Sequence, residues 1–487
     1  MALHDEEMNR RREKREAMRR KQEAERKRMK ITLIAAAVIL VLVGAGMFFL
    51  IRQNPAAQSD AALQQTQQET EATRATQETQ PAKKESDTTT TIHIKAAGDL
   101  NVTDAVVDSG MQAGVYDYTR SFIDVAAILS DADLTVLNFE GNVCGEPYGT
   151  ATTSAPKEIL DGLRNAGVDL LQMANSCSIN NGLIGLNATL QAVRNAGLEP
   201  LGAYSSTEEF EESGGYTICD VQGVRVAFVA FTKGVGGRGM PAGNEDCVNL
   251  LYTDYATEYT KIDRDGIRAV LKNVAKEEPD ITIAMLHWGS EYNDVVSDSQ
   301  TSIISLMQKE GVDVIVGTHS HMVQKIEFDQ AKGTLVAYSL GDFFGDASRG
   351  GTNYSIILDM EITKDNTSGT TKVTNFSYTP IYTQRAADCV DGDHRVVRIQ
   401  SAMNAYNNNF VDKITQTAND SMIYSLTRIE ARVTGIEPTE AEDSTDVTET
   451  GETETTEAET TAATTESTAE ATTEASTEAD TTAATEE

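Results

Sequence analysis

Cysteine is scarce in this chain and shows no pairing pattern. There are five in 487 residues (Cys144, Cys177, Cys219, Cys247 and Cys389), and none forms a C-x-x-C unit. That excludes zinc-ribbon spacing, and an odd number leaves at least one thiol free if the others pair. Histidine is limited to six positions and tryptophan to one. Positive charge is short as well: 41 Lys and Arg stand against 75 Asp and Glu, for a formal net charge of −34. Large apolar side chains are nearly missing from residues 52–90 and 436–487, so neither segment can bury enough surface to order itself. The second of these also lacks Lys and Arg, and with seventeen acidic residues after position 436 it reads as a disordered, solvated surface brush.

What the ends lack sets off what lies between them. Residues 31–51 are apolar and uncharged, about 31 Å long as a helix and enough to cross a bilayer. The basic residues cluster before this run, in residues 1–30, which predicts a cytoplasmic N-terminus and an extracellular C-terminal domain on one retained transmembrane helix at the cell membrane. A cleaved signal would have an apolar region of roughly 7 to 15 residues ending at small side chains. Met47-Phe48-Phe49-Leu50-Ile51-Arg52 is a poor cleavage context. The basic run serves topology, and no nucleic-acid partner is read from it. Five segments follow: a basic cytoplasmic piece (1–30), the transmembrane helix (31–51), a disordered linker (52–90), a folded domain (91–435) and the tail (436–487).

In the folded region, short β-branched apolar runs alternate with amphipathic stretches. Strands are predicted at 92–97, 134–138, 170–174, 216–220, 224–231, 281–286, 312–317, 335–339, 354–362 and 372–379. Helices are predicted at 119–129, 157–166, 186–196, 262–277, 301–310 and 397–434. Strand and helix alternate early, residues 216–231 read as a hairpin, and 335–379 as consecutive strands. That mixture predicts an α/β domain of stacked sheets flanked by helices, and two sheets sharing a core suit its size. Residues 232–249 form an irregular glycine-rich insertion around Arg238, either a loop closing over an anion or a plain surface loop.

Three of the six histidines fall in two short runs, His287-Trp288-Gly289-Ser290-Glu291-Tyr292 and Gly317-Thr318-His319-Ser320-His321. Both follow apolar strand candidates, and strand carboxyl ends are where α/β proteins assemble sites. Asp99 and Glu140 occupy the same kind of position after two earlier strands. Any one of these residues is more often a cap or a satisfied polar group. Together Asp99, Glu140, His287, His319 and His321 form a mixed carboxylate and imidazole set suited to divalent Mn, Fe or Zn, and a pair of ions would share a bridging carboxylate.

Five motifs taken in order carry a resemblance: Gly98-Asp99, Asn138-Phe139-Glu140-Gly141, the His287 to Tyr292 run, the Gly317 to His321 run, and Tyr338-Ser339-Leu340-Gly341-Asp342-Phe343. They resemble the successive motifs of the CapA family of capsule-assembly, poly-γ-glutamate synthesis proteins, over about residues 92–387. The resemblance implies a metallophosphoesterase-like, four-layer α/β/β/α sandwich. It also implies anchoring outside a bacterial cell beside a membrane polymer-synthase complex. One run departs from the family: Ala174-Asn175-Ser176-Cys177-Ser178-Ile179-Asn180-Asn181-Gly182 stands where a metal-binding Asn and a substrate-facing His are usual. Asn175 is then the candidate replacement ligand, and Cys177 takes the histidine's place, able to ligate as a thiolate but a poor proton donor. Asp342 stands where the family more often has Asn.

Three functions are expected in this order. The first is an anchored protein that assists synthesis, export or attachment of poly-γ-glutamate or a related anionic surface polymer through a metal-containing cleft. Arg238, Arg349, Trp288 and Tyr292 would face the polymer, with the arginines offsetting a negative domain that would otherwise repel it; for Trp288 a place in the core is the commoner reading. The second is a metal-dependent hydrolase of phosphoester or amide bonds, with His287, Glu291 and Cys177 as catalytic candidates. The third is a metal-free binding protein that keeps the fold.

Overall fold

Residues 88–408 and 414–436 are described by a computed structural model. The expected basic segment, membrane helix and nearly all of the linker and tail lie outside the described residues. Among the described residues no helix is long and apolar enough to cross a membrane.

In chain order the elements are β1 (Thr89–Asn101), α1 (Asp104–Ser109), β2 (Met111–Gln112), β3 (Val115–Tyr116), α2 (Thr119–Leu129), β4 (Leu134–Glu140), α3 (Glu158–Ala166), β5 (Leu170–Gln172), α4 (Gly182–Asn195), β6 (Glu199–Leu201) and α5 (Thr207–Ser213). There follow β7 (Thr217–Val221), β8 (Val224–Thr232), α6 (Arg264–Lys276), β9 (Ile281–His287), α7 (Asp298–Lys309), β10 (Val314–Thr318), β11 (Ile326–Asp329) and β12 (Thr334–Ala337). The chain closes with β13 (Asp342–Phe344), β14 (Tyr354–Asp365), β15 (Thr371–Gln384), β16 (Arg395–Arg398), α8 (Ile399–Asn407) and α9 (Gln416–Thr434).

Two sheets share the core. The larger runs β16-β15-β14-β1-β4-β5-β6, with β13 also paired to β1, and the smaller runs β11-β12-β10-β9-β8-β7. Strands β1, β4, β5 and β6 are parallel neighbours, as are β8, β9, β10 and β12. Strand β9 shows why both faces are apolar. Ile281, Ile283 and Met285 enter the core shared with the larger sheet, while Ala284 and Leu286 meet Ile267, Val270, Ile303 and Met307 of α6 and α7. Each of the Ile, Leu and Met side chains is worth roughly 1.5–3 kcal/mol when fully buried. Helices α2, α4 and α9 contact the larger sheet, giving the mixed α/β arrangement that alternating patterns predict.

One sequence device recurs at the strand entrances. An aspartate precedes each of β4, β5, β9 and β10, and its carboxylate accepts the backbone N–H of the neighbouring strand. The pairs are Asp133 to His93 (2.8 Å), Asp169 to Thr135 (3.0 Å), Asp280 to Arg225 (2.7 Å) and Asp313 to Thr282 (2.9 Å). Each fixes the level at which a parallel strand enters the sheet, and so the level at which its other end delivers a functional side chain.

Several expectations need correction. The predicted linker end at residue 90 gives way to strand: β1 begins at Thr89 because β14 continues opposite it, with Thr89 paired to Asp365 and the hydroxyls of Thr91 and Thr363 3.0 Å apart. The predicted helix 397–434 is the end of β16 followed by two separate helices. All five cysteines are free.

Candidate metal centre

The register of the strands brings the carboxylates together from one sheet and the imidazoles from the other. On the larger sheet Asp99 lies beside Asn138, Asn101 beside Glu140, and Asp99 beside Asp342. On the smaller sheet His287 lies beside Thr318, the last residue before His319. Glycine permits the approach at two points. A Cβ on Gly98 would sit 1.8 Å from the Gly341 carbonyl oxygen, and one on Gly317 would sit 1.9 Å from the Tyr338 carbonyl oxygen. Both His319 (φ 88°) and His321 (φ 58°) then adopt left-handed backbone, a conformation that costs energy in a non-glycine residue and gathers at functional sites.

The five donors predicted from sequence converge and are buried. His287 Nε2 lies 3.4 Å from Glu140 Oε1, while His287 Nδ1 and His321 Nδ1 each lie 3.8 Å from an Asp99 oxygen. Ligand atoms of Glu140, His287 and His319 lie within 4.8 Å of one another, and so do those of Asp99, Glu140 and His321. Glu140 belongs to both groups, the position of a bridging carboxylate. Its Oε2 is buried with no hydrogen-bond partner. A buried carboxylate oxygen without a donor is costly, and a cation is the partner that this mixture of hard carboxylate and borderline imidazole donors fits. Exposed Glu291 forms a third group with His319 and His321.

The charges in the cluster are interdependent. Burial pushes the Asp99 carboxyl up. Burial acts the same way on Glu140, but His287, His321 and His319 outweigh it and hold that carboxyl well below its usual range. Burial, and then His287, hold His319 well below the usual imidazole value, leaving its lone pair available. Burial would lower His321 too, yet the Asp342 carboxylate 2.8 Å away overrides it and raises that group.

The residues around the cluster sort differently from expectation. Asn175 does not reach in as a ligand: its Nδ2 donates to Phe139 O (2.7 Å) and its Oδ1 accepts from Cys177 N (3.0 Å), so both ends of the amide hold the loop together. Trp288 is no wall for substrate. It is 1% exposed, packs among core residues such as Leu286 and Tyr338, and donates Nε1–H to Tyr338 O at 2.9 Å. Arg238 is exposed, donates to Asn180 Oδ1 (2.7 Å), and is not part of the wall of either cavity beside the cluster. Cys177 is buried beside Glu140, and burial followed by that carboxylate raises its thiol well above the ordinary value.

One cavity of about 280 Å³ opens on Glu140, Cys177, Tyr292, His321 and Arg349. In it the Arg349 guanidinium sits 4.0 Å above the Tyr292 ring, and that ring stacks on His321 at 5.2 Å. A second, of about 350 Å³, opens on Ser176, Lys233, Tyr259, Glu291 and His319. Sequence reading missed Lys233, whose ammonium lies 4.5 Å over Tyr259; a lone lysine after a strand carries no signal. It also undervalued Ser176, whose Oγ lies 2.7 Å from His287 Nε2, and missed Asn138, whose Nδ2 donates to Asp99 Oδ1 at 2.5 Å.

Comparison with known proteins adds matches of three kinds. A family model described as bacterial capsule synthesis protein PGA_cap matches residues 93–347. The PGA biosynthesis protein CapA of Bacillus subtilis (strain 168) is 29% identical over 225 residues, 46% of this chain and 53% of that protein. The capsule biosynthesis protein CapA of Bacillus anthracis is 27% identical over 254 residues, 51% of this chain and 59% of that protein. The match thus spans little more than half the length of either relative. Among solved structures, the calcineurin-like phosphoesterase YfkN from Bacillus subtilis aligns with a TM-score of 0.38 and 15% identity, covering 69% of this chain and 99% of that one. A phosphatase from Mycoplasma pneumoniae aligns with a TM-score of 0.37 and 14% identity, covering 60% and 94%.

Proposed function

The chain belongs to the bacterial capsule synthesis family PGA_cap, and on that premise we propose that it handles an anionic surface polymer, poly-γ-glutamate or a close relative, through a metal-containing cleft. The observation that carries this reading is the convergence of Asp99, Glu140, His287, His319 and His321 around the partnerless Glu140 Oε2, on the motifs that mark the family. Those five side chains would hold a divalent ion, Mn, Fe or Zn. When bound, it supplies positive charge and Lewis acidity toward carboxylate, amide or phosphoester oxygens. The layers support reading the domain as the four-layer α/β/β/α sandwich of metallophosphoesterases. Its work would be synthesis, export or attachment of the polymer next to a membrane synthase complex, on the outer side of an anchor at residues 31–51.

The chain's own groups supply the rest. Arg349, held flat on Tyr292 at the mouth of one cavity, offers a planar pair of donors to a carboxylate. Lys233 offers a point charge in the other cavity. These cations stand among the carboxylates of Glu140, Asp342, Asp346 and Glu291, and with a bound divalent ion they would offset that negative charge toward an anionic polymer. Burial keeps the Cys177 thiol protonated, so it holds its proton at the place where the family resemblance expects a histidine. That favours polymer handling over phosphoester or amide hydrolysis.

Binding of poly-γ-glutamate to the full chain, with Mn²⁺ and after chelation, tests the reading. Binding that needs the metal and weakens in Arg349→Gln is expected. No binding under either condition, together with unchanged surface polymer in a deletion strain, would sink it.

A further inference from the structure

A second cavity system lies at the far edge of the larger sheet and shares no wall residue with the two beside the cluster. It has a volume of about 280 Å³ and is walled by the ends of β15 and β16, by Asp124 of α2, by α8 from Ser401 to Tyr406, and by Ile414. Cavities that hold small ligands run from roughly 300 Å³ upward, so this one suits a small molecule or a single chain end.

Its polar groups are unusually incomplete. Gln384 and Arg395 are cross-strand partners at the β15–β16 edge. Gln384 is fully buried, and while its amide nitrogen donates to Asp393 O at 3.3 Å, its Oε1 accepts nothing. Arg395 is 5% exposed and its buried Nε makes no hydrogen bond. That same Nε is ion-paired with Asp124 at 3.5 Å, and Nη1 lies 3.7 Å from Asp393, which also serves Arg120. Arg398 has a buried, unbonded Nε as well, and among the described residues no ion pair holds it. Arg398 is also the N-cap of α8, where no side chain caps the helix. The space is thus lined by Arg395 with its partner Asp124, by Arg398, and by an uncapped helix start, and the last two favour an anion. Beside them the buried Gln384 oxygen asks for an N–H donor. Val397, Ala402 and Ile414 supply an apolar wall.

We propose that this cavity binds the carboxyl end of a peptide with small side chains. The terminal carboxylate lies between Arg395, Arg398 and the start of α8, the last amide N–H donates to Gln384 Oε1, and the terminal side chain rests on Val397 and Ala402. A carboxylate alone would leave Gln384 unsatisfied, and an amide-capped end would leave Arg398 unpaired. The site is therefore selective for a unit carrying both groups.

Calorimetry on the full chain in detergent tests this with three probes: N-acetyl-Ala-Ala, its C-terminal amide, and butyrate. Saturable binding of the free acid is expected, with at least a tenfold loss for the amide and for butyrate. Arg398→Gln should weaken the free acid by at least tenfold. Ala402→Leu, which fills the cavity and leaves both arginines in place, should abolish binding while the melting temperature holds. Chelation of divalent metal should change nothing, which separates this site from the cluster. Equal binding of acid and amide, unchanged binding in Ala402→Leu, or no saturation at millimolar probe would overturn the proposal.

Discussion

The Ser176 hydroxyl stands between two imidazoles, 2.7 Å from Nε2 of His287 and 3.5 Å from Nδ1 of His319. It thereby touches the two imidazoles that, with Glu140, form one half of the cluster. Ser176→Asn puts an amide oxygen at this position, where the family resemblance expects a ligand. Groups that orient or complete a metal site shift affinity by roughly 10–100-fold. Ser176→Asn is expected to retain a second equivalent of metal by elemental analysis, and Ser176→Ala is not. Equal metal content in all three proteins would show that Ser176 is no part of the coordination sphere.

Glu140 Oε2 makes a second prediction. A buried carboxylate oxygen without a donor is a cost that an ion removes. At free metal 100-fold above its Kd the folded state gains about 2.7 kcal/mol. Thermal melting should therefore rise with added Mn²⁺, Fe²⁺ or Zn²⁺ and fall on chelation. Paired His319→Ala and His321→Ala substitutions should erase the response. A melting temperature indifferent to all three ions would remove the metal from the reading.

How much of this was legible beforehand varied with the length of each signal. Asp99, Glu140, His287, His319 and His321 follow long apolar runs, so their placement at strand ends could be read, and register then brought them together. Strands β6, β11, β13 and β16 are three or four residues each, too short to show a period. The amphipathic pattern continues from α8 into α9, so one helix was expected where there are two. Trp288 sits between His287 and Gly289 in a motif that points to a site, yet its own ring turns to the core. Sequence adjacency does not reveal which side of a strand end a side chain takes.

That turn of Trp288 is testable. Trp288→Phe removes the N–H that reaches Tyr338 O and leaves space among α6 and α7. The expected cost is on the order of 2–4 kcal/mol, seen as a lower denaturant midpoint, with metal content and polymer affinity unchanged. A loss of polymer binding at full stability would restore it to the substrate wall.

Gly98→Ala tests the close approach of β1 to β13. The added methyl would meet the Gly341 carbonyl oxygen at 1.8 Å, while Asp99 N–H donates to that same oxygen at 3.0 Å. Relief requires moving either Asp99 or the Gly341 turn, at a cost of about 1–3 kcal/mol. Metal affinity should fall along with the melting temperature. A protein as stable and as metal-loaded as the parent would show that the two strands separate freely.

Asp313, at the entrance to β10, has a pH signature. Burial raises the carboxyl of Asp313, against the hydrogen bond it accepts from Thr282. Because the folded state holds the proton more tightly than the unfolded chain, this residue's contribution to stability is greatest below the unfolded value of about 3.9 and falls as pH rises through the folded value. Asp313→Asn keeps an oxygen acceptor for Thr282 and has no proton to lose. The stability of the parent minus that of Asp313→Asn should therefore decline from about pH 4 upward and then level off. Asp313→Ala, which leaves the Thr282 N–H unpaired, should lie about 1–3 kcal/mol below Asp313→Asn at every pH. A difference between parent and Asp313→Asn that grows with pH would mean that the hydrogen bond from Thr282 outweighs burial and lowers this carboxyl, the reverse of the balance argued here.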